Sequence, residues 1–363
     1  MQELATIFDR TMKHSNISRR VDRTELESFV RQVLAAAGVA EDHSDRVAEG
    51  LVLADLRGVD SHGVARLEAY VENFEAGGFS RDPDIHISRV SQGIALVDGD
   101  AGPGHSVGMR AMQEAMSLAA DSGVGSVFVG NSNHFGTAAY FTQFAADDGF
   151  VGIASTNVGP DVIPFGGTEA FLGTNPIGIS VPTDLGFPMT LDMATSVVAM
   201  GKIDHSATGG DAEIPMEWAV DSDGEPTSDP TEVAALRPVG GPKGYGLAMM
   251  IDMFCGILSD TAISPDIGDL YADFHEPMGL GHWFLAIDVD AIMPLETFTA
   301  AVTSYVDRLK DQPTADGVEE IMVPGEPEAR KRRKHEELGI PLNHETAESL
   351  DRLAERYELE PVR

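Results

Sequence analysis

GSVFVGNSNHFGTAAYFTQFAADDGFVGIAS, residues 125–155, decides the fold class. Gly125 to Val129 and Val151 to Ser155 are short apolar runs of strand length, and 137–147 between them has helical periodicity. A strand, helix, strand order predicts α/β layers, not a bundle. Upstream, Gly93 to Val97 reads as another strand and 107–121 as another helix. Downstream, Gly178 to Pro182, Met189 to Asp192, Glu217 to Asp221 and His282 to Asp288 read as strands. Asp221-Ser222-Asp223-Gly224 reads as a hairpin turn, so antiparallel pairing must contribute to a mixed sheet.

The flanks are helical. Thr24 and Glu27 form a capping-box pattern ahead of Leu26, Phe29, Val30, Val33 and Leu34, with a stop at Gly38. A second helix runs through Val47 and Leu51. A third carries Val64, Leu67, Tyr70, Val71 and Phe74 up to Gly77-Gly78. Residues 205–213 and 260–281 read as surface loops, while 295–311 and 326–360 return to helical periodicity. The expected organisation is a mainly helical part over 1–85, an α/β part over 86–290, and a helical part over 291–363 that packs back on the first.

Charge sets limits on partners. With 59 acidic and 25 basic residues the chain carries −34, which excludes a nucleic-acid binder relying on overall charge. The acids are spread along the chain, as at Asp42, Asp45, Glu72, Asp147 and Glu319, so they read as a solvated coat. Such self-repulsion needs screening, and the expectation is adaptation to high internal salt; an ordinary acidic protein is the alternative. No apolar stretch approaches the roughly 20 residues that a bilayer crossing needs. Leu247 to Leu258 comes nearest and is interrupted by Asp252. The first 30 residues lack the apolar middle of a secretory signal, and the lone Cys255 cannot form an internal disulfide, so the expected compartment is the cytoplasm.

Polar residues gather at the ends of these elements. Asp60-Ser61-His62-Gly63 falls between two helices, with Arg66 one turn beyond His62 on the expected helical face. An imidazole can donate a proton to a developing alkoxide, and a guanidinium fork can hold a carboxylate, which together suit a 2-oxo acid. Taken alone, the tetrapeptide also fits a simple helix cap. Asn131-Ser132-Asn133-His134-Phe135-Gly136 follows a strand and opens a helix, where ligand contacts are common, although a polar loop would read the same way. Asp192, at the end of an apolar strand, is costly unless paired, and a histidine partner would justify it. Gly240-Gly241-Pro242-Lys243-Gly244-Tyr245-Gly246 is a flexible approach to a helix in which Lys243 can reach phosphate or ribose. Gly102-Pro103-Gly104-His105-Ser106-Val107-Gly108 imitates a dinucleotide fingerprint, but its third glycine is late, so it reads as a tight turn. The run Arg330 to Lys334 reads as the charged face of a late helix, and no compact metal-ligand spacing appears.

In order, Asp60-Ser61-His62-Gly63 with Arg66, Asn133-His134-Phe135-Gly136, Gly173-Thr174-Asn175-Pro176, Leu191-Asp192-Met193-Ala194, Lys243-Gly244-Tyr245-Gly246 and Pro324-Gly325-Glu326 resemble the type-2 malate/L-lactate dehydrogenase family. That family also includes ureidoglycolate dehydrogenase, 2,3-diketogulonate reductase and piperideine-2-carboxylate reductase. The resemblance spans residues 20 to 355 and implies a non-Rossmann α/β fold, a homodimer, and NAD- or NADP-dependent oxidoreduction of 2-hydroxy acids, with 86–290 binding cofactor and substrate. It implies His62 as proton donor or acceptor, helped by Ser61, with His134 near substrate and nicotinamide. Arg66 as carboxylate clamp rests on its chemistry. The segment Pro188, Met189, Thr190, Leu191, Asp192, Met193 and Ala194, together with Lys243, Gly244, Pro324, Gly325 and Glu326, is implied to contact the cofactor. Asp192 is expected to support His62 and to offset the effect of its surroundings on its charge. No metal is expected. The other readings are a ureidoglycolate or cyclic-imine substrate within the family and, more distantly, a metal-dependent hydrolase or lyase using His62, His134 and Asp192 as ligands.

Overall fold

The computed structural model describes residues 17–209 and 213–363. In chain order the elements are β1 (Ile17–Val21), α1 (Arg23–Ala36), α2 (Glu41–Leu56), α3 (Leu67–Ala76), β2 (His86–Ser91), β3 (Ile94–Gly102) and α4 (Gly104–Ser122). β4 (Val124–Ser132), α5 (Ala138–Asp147), β5 (Phe150–Thr156), β6 (Ile177–Val181), β7 (Met189–Met193) and α6 (Met200–Gly209) follow. A short antiparallel set β8 (Ala219–Val220), β9 (Pro226–Thr227) and β10 (Ala235–Leu236) precedes α7 (Pro242–Asp252) and β11 (Leu280–Asp288). The chain ends with α8 (Leu295–Lys310), α9 (Glu326–Leu338), β12 (Ile340–Asn343) and α10 (His344–Arg356).

Seven strands form one mixed sheet in the order β2-β3-β4-β11-β5-β6-β7. Only β3 and β4 pair in parallel, joined by α4; the other neighbours are antiparallel. Of the Gly102 to Gly108 segment, expected as a tight turn, Gly102 ends β3, Pro103 takes the cap position and Gly104 to Gly108 are already the start of α4. Val127, Val129, Ala154, Phe284 and Ala286 from the sheet meet Val107, Met112, Ala115 and Phe141 from α4 and α5 in one core. A second core joins the two ends of the chain: Leu26, Leu51, Leu67 and Tyr70 pack with Ile340, Leu350 and Leu353. The expected packing of the carboxy-terminal helices on the amino-terminal ones is therefore present.

Several local expectations shift. Asp22, not Thr24, caps α1, accepting from Thr24 N–H at 2.8 Å, while Glu27 pairs with Arg23 at 2.7 Å. The cause is β1: its pairing of Val21 with Ile340 ends the strand at Asp22, where the helix must begin. The 326–360 stretch is not continuously helical. Gly339 at φ 84° and Pro341 stop α9, and β12 then pairs with β1, a partner some 320 positions away that local periodicity cannot reveal. The strand expected over Glu217 to Asp221 is only Ala219–Val220, but its hairpin with β9 is present. Helix α6 covers much of the loop expected at 205–213; residues 210–212 lie outside the described ones. The third helix starts at Leu67, after two separate 3-10 turns, Asp60–His62 and Val64–Arg66. Among the described residues no helix is long and apolar enough to cross a membrane.

Candidate active site

The turn carrying His62 is held from below by a buried carboxylate. Asp55, in the last turn of α2, accepts the Val64 N–H at 2.8 Å. Gly63 lies so close over it that a Cβ there would sit 1.9 Å from Asp55 Oδ1. Burial, with Asp60 adding, pushes the Asp55 carboxyl well above its ordinary range. His62 and Arg66 therefore stand on two successive 3-10 turns, not on one helical face as expected. They still converge: Ser61 Oγ is 3.0 Å from His62 Nδ1, and Arg66 Nε donates to the Ser61 carbonyl at 2.7 Å. Arg66 Nη1 also donates to the Tyr271 hydroxyl at 2.6 Å, so part of its fork is engaged.

His134 arrives from the other side, on the link between β4 and α5. That link is pinned by Asn133, whose side chain donates to the Ala101 carbonyl at 2.6 Å and accepts the Met278 N–H at 2.8 Å. The rings of His62 and His134 stack with centroids 5.7 Å apart and 27° between planes. Burial drives the His62 pKa down to about 3, and the Arg66 guanidinium and His105 push the same way. Burial, Arg66 and the neighbouring histidines hold His134 well below the usual range. Both imidazoles are neutral at pH 7.

Asp192 does not touch His62, which corrects the expected pairing and the expected offset. Its carboxylate caps α5 by accepting Ala139 N–H at 2.9 Å, and its charged neighbour is Arg57 at 3.9 Å. Burial raises Asp192 and lowers Arg57, so at this distance neither charge compensates the other's desolvation. Arg57 is only 3% exposed, and its Nη1 has no hydrogen-bond partner among the described residues. It lines a cavity of about 950 Å³ with Phe187, Pro188, Arg332 and Arg333 and with the acids Asp147, Asp184, Asp290, Glu296 and Glu336. The basic run is thus on a helix, as expected, but two of its arginines face this cavity. The five acids outnumber the three arginines and Glu336 holds Arg332 at 2.9 Å, so what the cavity offers a ligand is the orphaned donor of Arg57 and not a positive lining.

The segments expected to meet a cofactor come together along β7, the edge strand. Thr190 N–H donates to the Pro324 carbonyl at 3.1 Å, and a Cβ on Gly325 would sit 2.9 Å from Thr190 N. The chain beyond Ala194 continues the cluster: Thr195 N–H donates to Thr174 and its carbonyl accepts from Val239, to which Gly244 is bonded. Lys243 stands exposed at the start of α7. Glu326 is different, because its buried carboxylate is taken by Lys310 and Arg330, each at 2.6 Å, and by Val323 N–H. It anchors the turn. Tyr70 and Tyr271 are neighbours of the site that the motifs did not single out as such; a buried Tyr carries no local signal. Among the described residues no group of three His, Cys, Asp or Glu is arranged to hold a metal.

Residues 21–351 match the model of the malate/L-lactate dehydrogenase family. The chain is 39% identical to a malate dehydrogenase of Pyrococcus horikoshii over 351 residues, 94% of this chain and 96% of that one. It is 35% identical to the NAD(+) ureidoglycolate dehydrogenase of Escherichia coli over 323 residues, 89% and 92% of the two chains. The solved sulfolactate dehydrogenase of Methanocaldococcus jannaschii superposes with a TM-score of 0.87 at 35% identity, covering 94% of this chain and 98% of that one. The histidine pair, the β7 edge and the mixed sheet therefore belong to a member of the malate/L-lactate dehydrogenase family.

Proposed function

We propose that this dehydrogenase interconverts a malate- or lactate-like 2-hydroxy acid and its 2-oxo acid with NAD or NADP. The observation that carries the reading is the stacked pair of neutral histidines with the Arg66 guanidinium beside them. The dinucleotide, when bound, supplies or accepts the hydride. Residues 188–194, Lys243-Gly244 and Pro324-Gly325 would hold it along β7, and the orphaned donor of Arg57 could take an acceptor atom of the same molecule.

The chain's own groups do the rest. Arg66 takes the substrate carboxylate, with Tyr271 giving way at Nη1, and so turns the C2 oxygen toward the histidines. His62, neutral and with a low pKa, accepts the hydroxyl proton during oxidation. For reduction it must first gain a proton. Burial is the main obstacle to the imidazolium, and a carboxylate on Arg66 offsets the charge that adds to it, so substrate binding and proton uptake at His62 are coupled. Ser61, bonded to Nδ1, steadies the ring in both directions.

Purified protein in concentrated potassium chloride should oxidise NADH or NADPH with oxaloacetate, pyruvate or sulfopyruvate, read as falling absorbance. No turnover with any of them, from protein shown folded, would overturn the reading. The second reading, supported by the ureidoglycolate dehydrogenase relative, is tested in the same cuvette with ureidoglycolate and a cyclic imine.

We assign the enzyme to the cytoplasm as a homodimer. Leu247, Met250, Met253, Ile257 and Leu258 expose an uncharged face of α7 and the turn after it, on a chain of −34, and a second copy suits that face. The acidic coat we read as adaptation to high salt. Lowering salt from about 1 M to about 0.01 M lengthens screening from about 3 Å to about 30 Å. The urea midpoint is expected to fall steeply over that range, and a flat midpoint would remove the salt adaptation.

A further inference from the structure

Tyr70 sits on α3, fully buried, with its ring edge-on to Phe79 at 5.6 Å and tilted against His105 at 5.9 Å. Phe79 in turn is fixed edge-on by Phe74 at 5.4 Å, so the phenol has little freedom. Its hydroxyl lies 2.5 Å from His134 Nδ1 and 3.5 Å from the His134 carbonyl oxygen, the acceptors within its reach among the described residues. A buried phenol has one proton to donate, and the nearer acceptor is Nδ1. We propose that Tyr70 is a positioning residue that holds His134 with its proton on Nε2, making this imidazole a fixed hydrogen-bond donor to the C2 oxygen of the substrate. The inference rests on the 2-hydroxy acid reading and divides the labour between the two histidines.

A neutral imidazole has a single N–H, and without a partner it can carry it on either nitrogen. His134 is neutral because burial and the charges of Arg66, His62, His105 and His282 all disfavour its imidazolium. Accepting at Nδ1 commits the N–H to Nε2, which makes no protein hydrogen bond among the described residues. Burial also pushes the Tyr70 phenol far above its ordinary range, so it donates without giving its proton away. His134 then polarises the carbonyl while His62 alone moves the proton.

Tyr70→Phe keeps the ring and removes the hydroxyl. Long-range proton–nitrogen spectra of histidine-labelled protein, recorded without substrate, should show His134 of the wild type with an unprotonated Nδ1 and a protonated Nε2. In Tyr70→Phe the two signals should move toward a mixture of tautomers, and kcat for 2-oxo acid reduction should fall about tenfold with the KM for dinucleotide unchanged. A protonated Nδ1 in the wild type, or a kcat in the variant within about twofold of wild type, overturns the proposal. The spectrum judges the tautomer independently of the reaction. If the wild type shows the Nε2–H form but reduces no 2-oxo acid, the failure lies with the reaction, and the donor role falls with it.

Discussion

His62→Ala is expected to lower kcat about 10³-fold, within the range that a positioned general acid or base supplies, while NADH or NADPH still binds. The separation follows from the geometry. His62 and Ser61 stand on a short 3-10 turn facing His134, whereas the segments assigned to the dinucleotide lie along β7. Alanine removes the ring whose proton chemistry burial and Arg66 tune, and leaves Arg57 and the cavity it lines in place. His134, held by Tyr70 and neutral, cannot stand in as a proton donor without becoming an imidazolate. The check is single-turnover absorbance for hydride transfer alongside fluorescence titration of the reduced cofactor. An unchanged rate would remove His62 from proton transfer, and a lost cofactor affinity would place the ring in the dinucleotide site instead.

Gly63→Ala is expected to cost about 3 kcal/mol of stability and most of the activity together. The added methyl would lie 1.9 Å from Asp55 Oδ1 and 2.2 Å from Cγ, so the carboxyl group must move. Movement breaks its bond to Val64 N–H and leaves a buried donor and a buried acceptor unpaired. Because Asp55 sets the break between the two 3-10 turns, the same displacement carries His62 and Arg66 away from His134. The urea midpoint and kcat of the variant check both halves. A variant as stable and active as wild type would mean that the turn is not braced by Asp55.

The α/β class and the order of strands and helices along the chain were legible because apolar periodicity survives in Gly125 to Val129, Val151 to Ser155 and His282 to Asp288, whereas the insertion of β11 between β4 and β5 was not. The site was legible as separate motifs. His62, His134 and Arg66 do converge, and the Pro188 to Ala194 segment does meet Pro324-Gly325. What failed was pairing. Asp192 looked like a partner for His62, since a carboxylate at a strand end needs a cation or donor, but it is the Ala139 N–H that it binds, with Arg57 3.9 Å away. The side chain of Glu326, expected at the cofactor, is held by Lys310 and Arg330, the first of them a position that local spacing does not connect with it.

By itself, then, the amino-acid sequence determined the layers, the family, the charge of the surface and the residue types available for chemistry. These depend on composition and on spacings of a few residues, which a linear chain displays directly. Only the tertiary structure decided that β12 pairs with β1, that Arg57 is buried with an unpaired donor, and that the Tyr70 hydroxyl lies 2.5 Å from His134 Nδ1. Each of these joins positions far apart in the chain, and hydrogen bonds and desolvation act over a few ångströms of space whatever the separation in sequence.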